Sequence, residues 1–367
     1  MKKVLIAVGG SGGHILPAEA LADDLKKAFP DLELLFVGHG LNSNRFFDRT
    51  KFSFKDIHSM KAGMKNPIRL LKESRFFFKG FSESKKILNH FNPDAIVGFG
   101  SYHTLPILAA ASLSHIPLIL HSADIIPGRT LRLFAPFAKV STIHFLEARK
   151  KIRGQTILVK HPLKKQYFDF FTKEEATSYF GLDCNLPILL IFGGSQGASG
   201  LNKIVESALP ALKVKLPKFQ VIHITGSLKA KEELEALYKN LNIPACVKEY
   251  EQKLYLAWKV AALGIVRSGA GTIAEHLHEE VPCLFIPYPN AKDDHQNKNA
   301  NYMVWEVGGS KKINESSIAK EKLIIQLEEL FKNDLKELHL MKKALQVYKQ
   351  NTNAENLFDV VIAAGKK

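Results

Sequence analysis

Gly264-Ile265-Val266-Arg267-Ser268-Gly269-Ala270-Gly271-Thr272-Ile273-Ala274-Glu275-His276 joins an apolar run to a helical pattern across a tight turn. Val260 to Val266 is mostly apolar and ends as a buried strand. Arg267, Ser268 and Gly269 make the turn, and Ala270 opens a helix carrying Thr272 and Glu275. A helix start offers free N–H groups and a positive dipole end, which suits a diphosphate. Glu275 lies one turn in, where a carboxylate can accept hydrogen bonds from ribose hydroxyls. The next strand, Cys283 to Ile286, delivers a polar loop in which His295 and Gln296 can reach a sugar. One nucleotide-sugar would satisfy the whole set. The plainer reading is an ordinary α/β turn followed by a solvated helix.

The same strand–turn–helix unit recurs through the chain. Val4 to Val8 is a strand, Gly9-Gly10-Ser11-Gly12-Gly13-His14 a turn, and Leu16 to Phe29 has helical spacing. Leu34 to Val37 is the next strand, so the opening is β-α-β with parallel strands. Ala95 to Val97 leads into Gly98-Phe99-Gly100-Ser101, and Pro117 to Leu120 into His121-Ser122-Ala123-Asp124. Ile157 to Val159 precedes His161-Pro162. After a polar, aromatic, helical stretch from about Lys164 to Leu186, the arrangement starts again. Ile188 to Phe192 is a strand, Gly193-Gly194-Ser195-Gln196-Gly197-Ala198 a turn, and Leu201 to Leu209 a helix. Lys320 to Leu345 reads as one charged helical stretch and Asn353 to Ala364 as a final helix with an apolar face. The 367 residues therefore suit two α/β domains rather than one core.

Ser11, Gly12 and Gly13 hold the first turn open to close approach, and His14 sits at or just inside a helix start. Ligands of open α/β sheets bind at this carboxyl end of the strands. A helix dipole favours the neutral imidazole, which makes His14 a candidate base. The turn fails as a dinucleotide fingerprint, because the third glycine would fall on Ile15 and the second strand ends without a carboxylate. No Gly-Lys-Ser/Thr follows either glycine turn, which excludes a P-loop. The second turn reads as a phosphate cradle of backbone N–H groups plus the Ser195 hydroxyl. Asp293-Asp294-His295 is adjacent in a loop and makes a poor metal site, so no metal and no cofactor is expected.

The formal charge is +15, which points to an anionic partner. Lys61 to Lys86 carries eight Lys/Arg against two Glu, +6 of that total. Asn66-Pro67 suits an N-cap and first helical position. On a wheel from Pro67, Arg69, Lys72, Arg75 and Lys79 share one side, with Leu70, Leu71, Phe77, Phe78 and Phe81 opposite. Ile68 and Phe76 fall inside the basic side, and apolar groups among cations suit insertion between anionic headgroups. At about 1 kcal/mol per cation, four or five give binding near the millimolar range. The basic cluster is local and carries no RNA-binding signature, so no nucleic-acid partner is expected. Cys184, Cys246 and Cys283 form no Cys-x-x-Cys pair and read as reduced thiols. The apolar run Val4 to Val8 is too short for an export signal, and no stretch approaches the roughly 20 apolar residues of a membrane span.

Taken in order, the Gly9–His14, Gly193–Ala198 and Arg267–Ala270 motifs resemble the UDP-N-acetylglucosamine:N-acetylmuramyl-(pentapeptide) pyrophosphoryl-undecaprenol N-acetylglucosaminyltransferase family, over nearly the whole chain. The resemblance implies a GT-B fold: two Rossmann-like parallel-sheet α/β domains with an interdomain cleft. Residues 1–163, joined by the last helix at 350–367, would form the acceptor- and membrane-facing domain, and 164–349 the domain binding UDP-GlcNAc. It implies inverting transfer of GlcNAc from UDP-GlcNAc to the muramyl 4-hydroxyl of lipid I, giving lipid II, with His14 as base. Carried over by position, Ser11, Gly12 and Gly13 would line the donor cleft. Ser195 with Gln196 would contact the diphosphate. Ala270, Gly271, Thr272, Ile273, Ala274 and Glu275 would hold nucleotide and ribose, His295 and Gln296 the sugar, and Arg267 or Lys164, with the helix N-termini, would offset the charge of the leaving diphosphate. The Ile68–Phe81 segment would be the lipid-facing patch of a peripheral protein on the cytoplasmic face of the bacterial inner membrane.

Four positions depart from the family pattern. Asp124 stands where the family often has Asn, which puts a carboxylate near an anionic substrate. His161-Pro162-Leu163-Lys164 replaces Asn-Pro-Val-Arg, and Lys164 keeps the charge but loses bidentate geometry. Glu251 takes an apolar position near the uracil, and His295-Gln296 replaces a Gln pair. The rival readings are another GT-B lipid glycosyltransferase, a UDP-GlcNAc 2-epimerase, and a non-catalytic protein binding UDP-sugar or anionic lipid.

Overall fold

The computed structural model describes residues 1–60, 67–194, 199–216, 218–316 and 318–365, with side chains for all of these except 67–72. Ser195, Gln196 and Asn66, and the side chains of Ile68, Arg69 and Lys72, thus lie outside the described residues. The chain divides into two compact units, Met1–Lys165 with Asn353–Lys367, and Gln166–Thr352.

The first unit runs β1 (Lys3–Ala7), α1 (Gly12–Ala28), β2 (Glu33–Gly38), β3 (Phe54–Asp56), α2 (Pro67–Phe91), β4 (Ala95–Gly98), α3 (Leu105–Ser112), β5 (Leu118–Ser122), α4 (Arg129–Phe134), β6 (Val140–Ile143) and β7 (Thr156–Lys160). The second runs α5 (Lys173–Tyr179), β8 (Ile188–Phe192), α6 (Ser199–Lys215), β9 (Gln220–Ile224), α7 (Leu228–Asn240), β10 (Ala245–Lys248), α8 (Leu254–Val260), β11 (Leu263–Val266), α9 (Ala270–Glu279), β12 (Cys283–Phe285), α10 (His295–Tyr302), β13 (Ser310–Lys312), α11 (Ala319–Phe331) and α12 (Lys336–Asn351). The chain then returns to the first unit as β14 (Glu355–Asn356) and α13 (Leu357–Gly365).

Both sheets are parallel, in the orders β14-β7-β6-β5-β4-β1-β2-β3 and β10-β9-β8-β11-β12-β13. Parallel strands are covered on both faces, which is why they read as continuous apolar runs. In β1, Val4 and Ile6 point into the layer that holds α1 and α13, while Leu5 and Ala7 point into the layer of α2, α3 and α4. Leu357, Val360, Val361 and Ala364 of α13 are buried in the former layer. Phe358 stacks on Phe29 at 6.3 Å, and Lys139 Nζ donates to the Ala364 carbonyl at 2.9 Å.

Three elements differ from the sequence expectation. The run from Val260 is split: α8 ends at Val260 and the strand begins at Leu263. The Lys164–Leu186 stretch contains a 3-10 turn, Lys165–Phe168, and one short α-helix, α5, started by a capping box between Thr172 and Glu175. The charged stretch from Lys320 is two helices, because Asn333, Asp334 and Leu335 all adopt left-handed backbone angles. Among the described residues no helix is long and apolar enough to cross a membrane.

Candidate functional site

In each sheet one strand has neighbours reached by crossovers in opposite directions: β1 between β2 and β4, and β8 between β9 and β11. Such switch points open a crevice at the carboxyl ends of the strands. The glycine turns and the Arg267–Gly269 turn leave the sheets at these two places.

In the first unit, α1 starts at Gly12, so His14 is its third residue. The His14 ring nitrogen Nδ1 lies 3.4 Å from Ser11 Oγ. Gly10 has φ +92°, and a Cβ there would stand 3.1 Å from Ser101 Oγ and 3.3 Å from His103 Cδ2. Ser101 and His103, from the loop after β4, therefore wall the same turn. Ser101 holds φ 75° and ψ 147°, a conformation that favours glycine. His103 donates from Nδ1 to the His39 carbonyl at 3.0 Å and stacks on the His39 ring. Burial, then the neighbouring His39, holds its pKa below the usual imidazole value. Nothing in the sequence marked Ser101, His103 or His39, because a backbone outlier has no residue signature when glycine is absent.

The ends of β5, β6 and β7 bring His121, His144 and His161 together. His121 Nε2 lies 3.2 Å from His161 Nδ1, and His121 Nδ1 lies 3.0 Å from Thr142 Oγ1. The His144 and His161 rings are 5.4 Å apart. Asp124 follows β5 on the same edge, and its charge reaches His144. Lys164 is exposed at the end of this unit.

In the second unit the Arg267–Gly269 turn is fastened to the sugar loop. Ser268 Oγ donates to the Gln296 carbonyl at 2.7 Å, and Asn299 Nδ2 donates to the Ser268 carbonyl at 3.1 Å. Gln296 Oε1 accepts from Tyr288 N at 2.9 Å, which leaves its amide N–H groups to a ligand. His295 Nδ1 donates to the Lys292 carbonyl at 2.8 Å. The first N–H groups of α9, at Ala270, Gly271 and Thr272, head the helix after the Gly269 N-cap. Ile273 and Ala274 are buried and can contribute backbone only.

This geometry bears on five of the residues named from the sequence. Arg267 does not stand free toward a diphosphate. It is 4% exposed, donates to the carbonyls of Ile286 and Pro287, and pairs with Glu315 at 2.7 Å. The Glu315 carboxylate in turn fills the space a side chain on Gly200 would need, with Oε1 2.0 Å from that position. The pair thus ties the start of α6 to the turn before α9. Glu275 accepts from Tyr167 Oη at 2.7 Å and from Trp258 Nε1 at 3.0 Å, so its carboxylate is already engaged within the unit. Glu251 is buried and turned away to Lys248, Tyr179 and the Lys253 N–H. Burial raises its pKa, but the Lys248 contact and the Lys253 N–H outweigh that and bring it below the usual carboxylate value. Phe76 is half-buried, parallel to the His58 ring at 6.3 Å, under the Arg75 guanidinium. Phe78, placed by the wheel on the core face, is 65% exposed beside Arg75 and Lys79, which are exposed too.

Residues 4–143 match the glycosyltransferase family 28 N-terminal domain, and residues 188–357 the family 28 C-terminal domain. The chain is 41% identical, over 98% of its length and 95% of the relative's, to the UDP-N-acetylglucosamine--N-acetylmuramyl-(pentapeptide) pyrophosphoryl-undecaprenol N-acetylglucosamine transferase of Protochlamydia amoebophila. It belongs to that transferase family. The enzyme of the same name from Geobacter sulfurreducens is 32% identical over 100% of this chain and 99% of its own. Among solved structures, MurG of Acinetobacter baumannii superposes with a TM-score of 0.76 at 24% identity, over 99% of this chain and 100% of that one. A UDP-glucose: anthocyanidin 3-O-glucosyltransferase in complex with UDP gives 0.66 at 13% identity, over 99% and 98%. These two share the two-sheet GT-B fold with the chain.

Proposed function

We propose that the chain transfers GlcNAc from UDP-GlcNAc to the 4-hydroxyl of the muramyl sugar of lipid I, giving lipid II with inversion at the anomeric carbon. The observation that carries this reading is that both switch points end in a glycine-containing turn, one holding His14 and the other leading to the α9 helix start. The second unit takes the donor. N–H groups at the start of α9 face the diphosphate, Glu275 the ribose and Gln296 the sugar. Preorganised N–H donors stabilise charge on the departing UDP at no reorganisation cost. In this reading they offset the diphosphate charge without a metal ion. The first unit takes the acceptor, and His14 removes the proton from the attacking hydroxyl.

The test is transfer to a soluble lipid I analogue in EDTA, with UDP-GlcNAc compared against other UDP-sugars. Lipid II analogue formed from UDP-GlcNAc alone is the expected result. No product from any donor, or an epimerised donor, overturns the reading.

The membrane reading rests on α2. We place this helix against an anionic leaflet on the cytoplasmic side of the bacterial membrane, with Phe78 inserted and Arg75 and Lys79 at the headgroups. Phe78→Asp removes the inserted ring and adds a like charge to the lipid. Vesicle co-sedimentation with anionic lipid is expected to fall about 10- to 150-fold in affinity, from the roughly 1.5–3 kcal/mol of one buried aromatic side chain. Unchanged binding would return α2 to a solvated helix.

A further inference from the structure

The histidine cluster of the first unit has a hydrogen-bond direction that its geometry dictates. His121 and Thr142 are direct cross-strand partners on β5 and β6. The Thr142 hydroxyl has one proton, and both of its contacts are made at once only when that proton goes to the Leu120 carbonyl at 3.1 Å. Toward His121 Nδ1, at 3.0 Å, that oxygen can therefore only accept. His121 is then the Nδ1–H tautomer, and its Nε2 carries a lone pair. His161 Nδ1, 3.2 Å away, donates to that lone pair. A neutral His161 is left with a bare Nε2. This nitrogen has no hydrogen-bond partner among the described residues, and it is not among the sealed polar atoms.

We propose that His161 binds the acceptor substrate: the Thr142–His121 chain fixes its tautomer, so that Nε2 receives a hydrogen bond from a hydroxyl or amide N–H of the acceptor glycopeptide. Three further observations fit. His144 repeats the tautomer, with Nδ1 donating to the Val159 carbonyl at 3.4 Å, although its Nε2 is sealed from solvent and has no hydrogen-bond partner among the described residues. Asp124 adds a carboxylate to the same edge, and its charge reaches His144. The charge of His14 reaches both His121 and His161, which puts the cluster at the same end of the sheet as the base. Burial, then the neighbouring imidazoles and His14, keeps His161 well below its usual pKa, so it serves as a neutral acceptor rather than as a second base.

This inference rests on the first unit being the acceptor-binding unit. The test is steady-state kinetics with UDP-GlcNAc and a soluble lipid I analogue, beside the imidazole 15N spectrum of the folded protein. His161→Leu is expected to raise the acceptor KM about tenfold, a lost hydrogen bond to substrate, with the donor KM unchanged. His161→Asn, the residue of the family pattern, can donate to His121 while its carbonyl accepts, and is expected to stay within threefold of the parent. In the spectrum His161 should show a protonated Nδ1 and a bare Nε2 that shifts when the analogue binds. An unchanged acceptor KM in folded His161→Leu, or an Nε2–H tautomer, overturns the inference. If His161→Leu does not fold, the tautomer and its response to the analogue decide alone. If the parent protein makes no product, the functional reading has failed, and the spectrum still reads the tautomer separately.

Discussion

His14→Ala is expected to lower kcat by roughly 10²- to 10⁴-fold, the usual contribution of a positioned general base, while the KM for UDP-GlcNAc stays near the parent value. His14 is the third residue of α1, and its side chain leaves the helix beside Ser11. The first turn of a helix disfavours the imidazolium, which suits a group that must take up a proton. The donor contacts proposed above lie in the second unit, on α9 and the loop that ends at Gln296, so losing the imidazole should leave them intact. His14→Gln keeps size and hydrogen bonding but cannot take the proton, and should fall as far as alanine. Turnover within a few-fold of the parent in either variant would remove the base assignment.

The second large effect is on stability in acid. Burial pushes the pKa of His121 down to about 3 and of His144 to about 4, and holds His161 well below the usual value. In the second unit, His223 is pushed to about 3 and His276 to about 4. A histidine depressed on folding is neutral in the native state, while the unfolded chain binds the proton below about pH 6.5. Its contribution is therefore complete above that pH and is lost as pH falls toward the folded pKa. At pH 5 His121, His144, His223 and His276 each cost about 2 kcal/mol relative to neutral pH. The groups facing the first cluster do not cancel this. A charged His14 opposes protonation of His121 and His161, and Asp124 favours it only at His144. Urea unfolding at pH 7 and pH 5 should show a midpoint that drops steeply in acid. A midpoint independent of pH over that interval would mean that these imidazoles are not buried neutral.

The strands were legible because burial on both faces leaves a plain apolar run, as in Val4 to Val8 and Ile188 to Phe192. The turns were legible because glycine marks a close approach. The break at Asn333–Leu335 was not, since no glycine or proline announces it. Arg267 looked like a phosphate-binding cation because its partner, Glu315, lies far along the chain. Phe76 and Phe78 exchanged roles because a helical wheel knows nothing of His58, which comes from another loop to cover Phe76. The His121–His161 contact could not be read at all, because it depends on the registers of adjacent strands.

The return of the chain to the first unit has a consequence for how the protein is made. Leu357, Val360 and Val361 complete a layer whose strands were synthesised at the very beginning. On the ribosome the leading lobe must wait, with part of its apolar layer uncovered, while the whole of the trailing lobe emerges and folds. Nascent domains otherwise mature from the amino end. Here the order is reversed, and a chain that stops between residues 352 and 357 carries the whole trailing lobe while its leading lobe exposes a greasy seam to chaperones and proteases.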